Sequence, residues 1–335
     1  MKNLFIPTDY VSSLNILQTE QAIKDLRTFF EDELSAALNL HRASAPLFVA
    51  PESGLNDDLN GIERPVSFDC KELNLRGEII QSLAKWKRFA LGKYGFKPGV
   101  GIYTNMNAIR PDEITDNMHS LYVDQWDWEL VIHKENRTEN ILKDTVCKIY
   151  EVLKKCEKFI CYKNSYIEPL LPENIHFVTT QEMENEYPHL TPAERENEYA
   201  RKYKALFIMQ IGANLKSGKP HDGRAADYDD WMLNGDIILY YPLFDKAFEI
   251  SSMGIRVDEN SLLKQIKERG HEYKLDMPFH KSILSAKLPY TIGGGIGQSR
   301  LCMYMLRKAH IGEVQVSLWP DGIEKACNDA GIHLL

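Results

Sequence analysis

The chain has 335 residues, 44% of them hydrophobic, and a net charge of −8, so it has enough apolar content to bury one large core. Its acidic balance and scattered Lys and Arg argue against a nucleic-acid partner, whose affinity would come from clustered cations. The six cysteines form no C-x-x-C pair and no zinc spacing, no apolar run is long enough for a signal peptide or a membrane span, and the expectation is a cytoplasmic protein with reduced thiols.

No linker, repeat or composition break divides the sequence, so residues 1–335 are expected to form a single domain. Residues 19–40 place Ile23, Leu26, Phe29, Phe30, Leu34 and Leu38 near helical spacing, with Thr19 as a candidate cap. A short strand at 43–49 carries Pro46, the mark of an edge strand or a bulge. The turn-rich stretch 52–62 reads as a lid loop. Strands at 64–69, 77–81, 100–109 and 119–131 bracket a helix at 83–93. Its Lys85, Lys87 and Arg88 form the one local basic cluster, either a solvated face or a binding patch. Helices at 138–162, 180–187 and 192–203 lead to strands at 205–210, 235–241 and 246–252, then to helices at 259–269, 277–285 and 299–309. Strands that follow one another through short turns predict an α+β fold, an antiparallel sheet flanked by helices.

Two blocks carry chemistry. In Thr291–Arg300, T-I-G-G-G-I-G-Q-S-R, four glycines (Gly293, Gly294, Gly295, Gly297) remove side chains so that another group can approach the backbone. The run opens a helix whose free N–H groups favour an anion, with Arg300 as a fixed cation. It matches neither a Walker loop nor G-x-G-x-x-G, and a plain tight turn is the alternative. In Phe248–Val257, Glu249, Ser251, Ser252 and Arg256 fall in an apolar, strand-like run, where a charge is costly without a partner. Strict alternation puts Glu249 and Arg256 on opposite faces, so a bulge at Gly254 is expected. Asp236 and Glu249 flank a turn near 242–245 and come roughly opposite each other if the strands pair. The plainer reading has Asp236 capping Asn234–Gly235 and Glu249 pairing with Arg256. If 122–129 is a strand, Gln125 and Asp127 share a face about 6.8 Å apart, and Trp126 and Trp128 point to the packed side. His221, Asp222, Arg224 and Asp229 form a further polar cluster, in which His221 has an equally good structural role.

The glycine-rich and Glu249–Arg256 blocks resemble the ATP-binding core of class II aminoacyl-tRNA synthetases. Adding S-L-A-K-W-K-R (82–88), R-P-D-E (110–113), Y-V-D-Q-W-D-W-E (122–129), H-D-G-R-A-A-D-Y-D-D-W (221–231) and L-N-G-D-I (233–237), the chain resembles ammonia-dependent asparagine synthetases, or aspartate–ammonia ligases, from about residue 5 to residue 335. The resemblance implies a class II synthetase-like catalytic domain and a homodimer built on the first helix and the Pro46 strand. It also implies ATP, Mg²⁺, L-aspartate and ammonia as ligands, with β-aspartyl-AMP as intermediate and AMP and pyrophosphate as products. Adenylation brings two anions together, so several cations must converge; Lys85, Arg110, Arg300 and Mg²⁺ are the candidates. By resemblance Arg110 holds the α-phosphate, Arg300 lies on the adenine and terminal phosphates, and Glu249, Gly294, Gly295 and Gly297 complete the ATP site. Asp236 and Glu249, with Ser252, hold the metal. Gln125, Asp127, Asp229, Ser251 and Arg256 are expected to contact the amino acid, and Lys85 and Arg256 are the candidates for binding its carboxylate.

Two positions depart from the family pattern, Gln81 where other members have histidine and Ser53 where some have aspartate. Neither is therefore assigned a catalytic or ammonia-guiding role; Asp57 or Asp58 could substitute, and no role is assigned to them either. The second residue is Lys2 and not Cys, which removes the nucleophile of N-terminal-cysteine amidotransferases and leaves free ammonia as nitrogen donor. The competing expectations are an adenylate-forming enzyme that passes its product to tRNA or protein, and a non-catalytic amino-acid-binding paralogue.

Overall fold

A 23-residue helix, α1 (Ile16–Leu38), buries Ala22, Ile23, Leu26, Phe30, Leu34 and Leu38 along one stripe. Asn15, and not Thr19, caps it: the Asn15 side chain accepts from the Gln18 backbone and the Gln18 side chain answers, while Thr19 is buried inside the helix. The computed structural model describes residues 4–57, 59 and 63–335, so Lys2, Asp58 and residues 60–62 of the expected lid lie outside the described residues. In place of one strand at 43–49 there are two, β1 (Leu40–Arg42) and β2 (Phe48–Val49). Pro46 lies between them; with no N–H to donate, it separates strands that join different sheets.

The remaining elements are β3 (Ser67–Cys70), β4 (Leu75–Ile79), α2 (Ala84–Tyr94), β5 (Gly101–Ile109), β6 (Tyr122–Val131), α3 (Glu139–Lys163), β7 (His176–Thr179), α4 (Thr180–Glu186), α5 (Pro192–Tyr203), β8 (Ala205–Met209), β9 (Asp229–Tyr241), β10 (Lys246–Arg256), α6 (Glu259–Arg269), α7 (Pro278–Leu284), β11 (Thr291–Gly297), α8 (Gln298–Met305) and α9 (Asp321–Asp329). An eight-stranded sheet runs β1-β5-β6-β11-β10-β9-β8-β7, and a small sheet runs β2-β4-β3. The six inner strands of the large sheet are antiparallel, as expected. Its two edges are not: β1 pairs parallel to β5 and β7 parallel to β8, because long connections rather than hairpins separate them. The back face packs Trp126, Trp128, Ile292 and Ile296 against α1 and α3, and this is the main core. Among the described residues no helix is long and apolar enough to cross a membrane.

Three departures from the expected elements shape the site. The glycine run is the central strand β11 and not only a turn. β9 begins at Asp229, six residues before the expected start, and β10 runs on to Arg256. β10 also has two register irregularities, between Glu249 and Ser251 and between Gly254 and Arg256. The second lies where alternation required it; the first was not foreseen.

Candidate active site

A cavity of about 500 Å³ opens on the front face of the sheet, and its floor follows from strand register. Gly293, Gly295 and Gly297 of β11 stand opposite Glu129, Asp127 and Gln125 of β6, and opposed residues of an antiparallel pair share a face. From Gly293 to Gly297 the front of β11 therefore has no side chains, leaving a trough walled by three polar side chains of β6. Filling it is sterically impossible without movement: a Cβ at Gly293 would lie 2.0 Å from Glu129 Oε2, and one at Gly295 2.4 Å from Gln125 Oε1. On the far wall Ser252 of β10 opposes Gly295, and Asp236 of β9 opposes Ser252. One rung thus reads Asp127–Gly295–Ser252–Asp236. Glu249 lies three residues before Ser252 and would face the core, but the bulge at Ile250 turns it to the cavity.

At one end is a network of buried ion pairs. Arg256 makes a bidentate pair with Glu129 (Nε–Oε1 2.9 Å, Nη2–Oε2 2.7 Å) and also binds Asp229. Burial would lower the Arg256 pKa, but these two carboxylates raise it instead. The Lys87 ammonium binds Asp127 and the Gly294 carbonyl. Burial, the largest influence, leaves its pKa below the ordinary lysine value despite the carboxylates. Asp127 Oδ2 is buried without a hydrogen-bond partner, and Gln125 lies beside it.

At the other end Arg110, Arg224 and Arg300 meet Asp236 and Glu249. Arg224 binds Asp236, and Arg300 Nη1 donates to the Glu249 carbonyl at 3.1 Å, its guanidinium 3.6 Å from the Glu249 carboxylate. Burial pushes the Asp236 carboxyl up to about 7 against the pull of Arg224, with Glu249 adding to the rise. Glu249 itself is held below the usual range, because Arg300 and then Arg224 outweigh desolvation. Asp236 Oδ1 and Arg110 Nε are both buried without partners. Among the described residues no three His, Cys, Asp or Glu gather into a metal centre.

The structure brings Arg110, Gln125, Asp127, Asp229, Glu249, Ser252, Arg256, Gly294, Gly295, Gly297 and Arg300 to the cavity wall, and sets Asp236 beside it, bound to Arg224 and in register with Ser252. It does not bring Lys85 or Ser251 to the cavity. Lys85 pairs with buried Asp227 at 2.9 Å, and Ser251 is in register with core residues Ile237 and Ile296, on the back face. The cation at the cavity is Lys87, about 200° further around the helix at 3.6 residues per turn. The basic cluster is not a solvated face. Lys85, Lys87 and Arg88 are all buried, and Arg88 donates to the Pro289 and Val257 carbonyls. Glu249 pairs with Arg300 and not with Arg256, and His221 sits on Glu196 outside the cavity lining. Gln81 is fully buried, with its amide on the Asp57 carbonyl. Ser53 caps a local turn, while Asp57, accepting from Ser82 Oγ at 2.8 Å, lines the cavity. Sequence reasoning missed Glu129, which holds Arg256 from beneath the cavity lining, and the lining residues His119 (held by Asp116 at 2.9 Å) and Gln315. Glu129 was detectable as the next residue on the Gln125–Asp127 face; the other two had no local signal.

A family profile described as Aspartate-ammonia ligase matches residues 17–331. An aspartate–ammonia ligase of Clostridium perfringens (strain SM101) is 59% identical over the full length of both chains. One of Ruminiclostridium cellulolyticum is 57% identical over the full length of both, and one of Bacillus cereus (strain AH187) is 56% identical over 97% of this chain and 99% of that one. Among solved structures, an asparaginyl-tRNA synthetase of Entamoeba histolytica superposes with a TM-score of 0.62 at 15% identity, covering 90% of this chain and 66% of that one. The Pyrococcus horikoshii asparaginyl-tRNA synthetase complexed with asparaginyl-adenylate gives 0.62 at 14%, covering 90% and 70%. At such identities the structural likeness concerns the fold alone.

Proposed function

Because the chain belongs to the aspartate–ammonia ligase family, we propose that it uses ATP to make L-asparagine from L-aspartate and free ammonia, through β-aspartyl-AMP with release of AMP and pyrophosphate. The observation that carries this reading is the meeting, along the bare Gly293–Gly297 front of one strand, of a set of buried ion pairs and a corner of three arginines. The orphaned Asp127 Oδ2 and Gln125 accept the substrate ammonium. Lys87 and Arg256 attract its carboxylates, and Glu129 and Asp229 fix the Arg256 guanidinium so that little reorganisation remains when substrate enters.

The β-carboxylate then attacks the α-phosphate, two anions whose approach costs about 4 kcal/mol at 4 Å and an effective dielectric of 20. Arg110, with a buried and unpaired Nε, is the group to offset that charge, and Arg300 neutralises the departing pyrophosphate. Mg²⁺ fits the carboxylate corner: Asp236 Oδ1 lacks a partner, Ser252 is in register with Asp236, and burial keeps the Asp236 carboxyl near 7. Mg²⁺ takes one or two carboxylates together with phosphate oxygens. Asp236 and Glu249, with Ser252, would hold it, and when bound it supplies further charge neutralisation on the polyphosphate. The acidic net charge favours this reading over transfer to tRNA.

The test is turnover with ATP, Mg²⁺, L-aspartate and ammonium in the absence of tRNA. AMP, pyrophosphate and asparagine are expected in equal amounts, with glutamine unable to replace ammonium. ADP as the product would refute adenylation, and pyrophosphate exchange without asparagine would point to another acceptor.

A further inference from the structure

The cavity divides by chemistry into three parts. The ion pairs of Lys87, Asp127 and Arg256 occupy one end, and Arg110, Arg224, Asp236 and Glu249 form the phosphate corner. The remaining wall, at the start of α8, is lined by Met118, Val123 and Ile311. Its side chains offer apolar surface to the flat faces of a nucleobase. Gln315 lies in this wall, 5% exposed.

The orientation of the Gln315 amide is fixed. Its Nε2 donates to Ser299 Oγ at 3.0 Å and approaches Asp124 Oδ1 at 3.4 Å, and a carboxylate can only accept. Asp124 is itself held by Arg27 at 2.7 Å and by the Ser299 backbone N–H at 3.0 Å. With the NH₂ group committed, Gln315 Oε1 is left as a buried acceptor without a partner. Buried acceptors are normally satisfied, so an orphan in a ligand cavity marks where a donor is missing.

We propose that Gln315 Oε1 accepts a hydrogen bond from the 6-amino group of adenine, and that the Arg27–Asp124–Gln315 chain makes this the base-selecting contact; the proposal rests on the ligase reading. A 6-oxo purine would set its carbonyl against that of Gln315, and a purine without the 6-substituent would leave it unpaired.

The test compares binding of ATP, purine riboside 5′-triphosphate and inosine triphosphate to the full-length protein by calorimetry, so that it does not depend on turnover. Wild type is expected to prefer ATP over the amino-less analogue by about tenfold or more. Gln315→Met should bring that ratio close to one. Because the ratio is read within each variant, a general loss of affinity cancels. Asp124→Asn supplies a donor where only an acceptor stood, allowing the Gln315 amide to turn over, and should move preference toward inosine triphosphate. Wild type that binds both adenine and amino-less nucleotides equally, or Gln315→Met that keeps the full preference, overturns the proposal. Failure of wild type to form AMP from aspartate would strike the ligase reading instead and leave the binding ratios interpretable.

Discussion

Gly295→Ala separates the role of the bare strand from its contribution to stability. The new methyl would lie 2.4 Å from Gln125 Oε1 and 3.0 Å from its Cδ, whereas ordinary contact begins near 3.4 Å. The Gln125 amide must therefore retreat by about 1 Å, which it can do because it ends a flexible side chain that faces the cavity. Asp127 Oδ2, at 3.5 Å, is barely disturbed. The fold should survive, since replacing a strand glycine recovers roughly 0.5–1 kcal/mol of backbone entropy against the strain of moving Gln125. Substrate binding should not. Losing a hydrogen bond to a charged group costs about 1.5–3 kcal/mol, or roughly a 10- to 100-fold loss in kcat/KM for aspartate. Aspartate-dependent ATP–pyrophosphate exchange reads the second effect, and thermal melting reads the first. A normal melting temperature with an unchanged aspartate KM would refute the placing of aspartate on β11. A collapse in stability would show that Gly295 faces packed core and not a cavity.

Other predictions follow from the same geometry. Lys87→Met should raise the aspartate KM about a hundredfold or more, because it leaves Asp127 uncompensated, whereas Lys85→Met should lower the denaturation midpoint through Asp227 and leave that KM near wild type; pyrophosphate exchange and urea melts distinguish them. Burial holds the His310 imidazole down to about 4, with its Nδ1 accepting from the Gly312 N–H. Between the ordinary value near 6.5 and pH 4 the unfolded chain takes up a proton that the folded one refuses, so stability falls with falling pH, by about 3 kcal/mol at pH 4. Urea melts across that range should show a shallower loss in His310→Asn. Chelating Mg²⁺ with EDTA should abolish AMP formation yet leave aspartate binding measurable by calorimetry, and Asp236→Asn should not be rescued by added Mg²⁺. The homodimer that the family resemblance implies is tested by light scattering, which should give twice the chain mass of 38.6 kDa; a single chain mass would refute it.

Local signals were legible from the sequence wherever a few neighbouring residues decide the outcome. The helix at 192–203 begins on the Thr191–Glu194 capping box, and the helix at 259–269 runs from the Asp258 cap to Gly270 in the left-handed region. The tryptophan face of β6, the bend near Gly254 and most of the charged residues of the cavity were readable in the same way. What only the tertiary structure decided was which side each of these residues faces and what it meets. The bulge at Ile250 turns Glu249 toward Asp236, and the depth of α2 within the protein sends Lys85 to Asp227 and Lys87 to Asp127 at the cavity wall. Gln315 becomes an oriented acceptor only because Asp124 and Ser299, 191 and 16 residues away, come to meet its amide. Helix caps and strand periods are set within about four residues of chain, so sequence carries them. Facing, burial and the partner of a charge are set across strands far apart in the sequence, where a one-residue shift of register reverses every side chain, and that is fixed only when the sheet assembles.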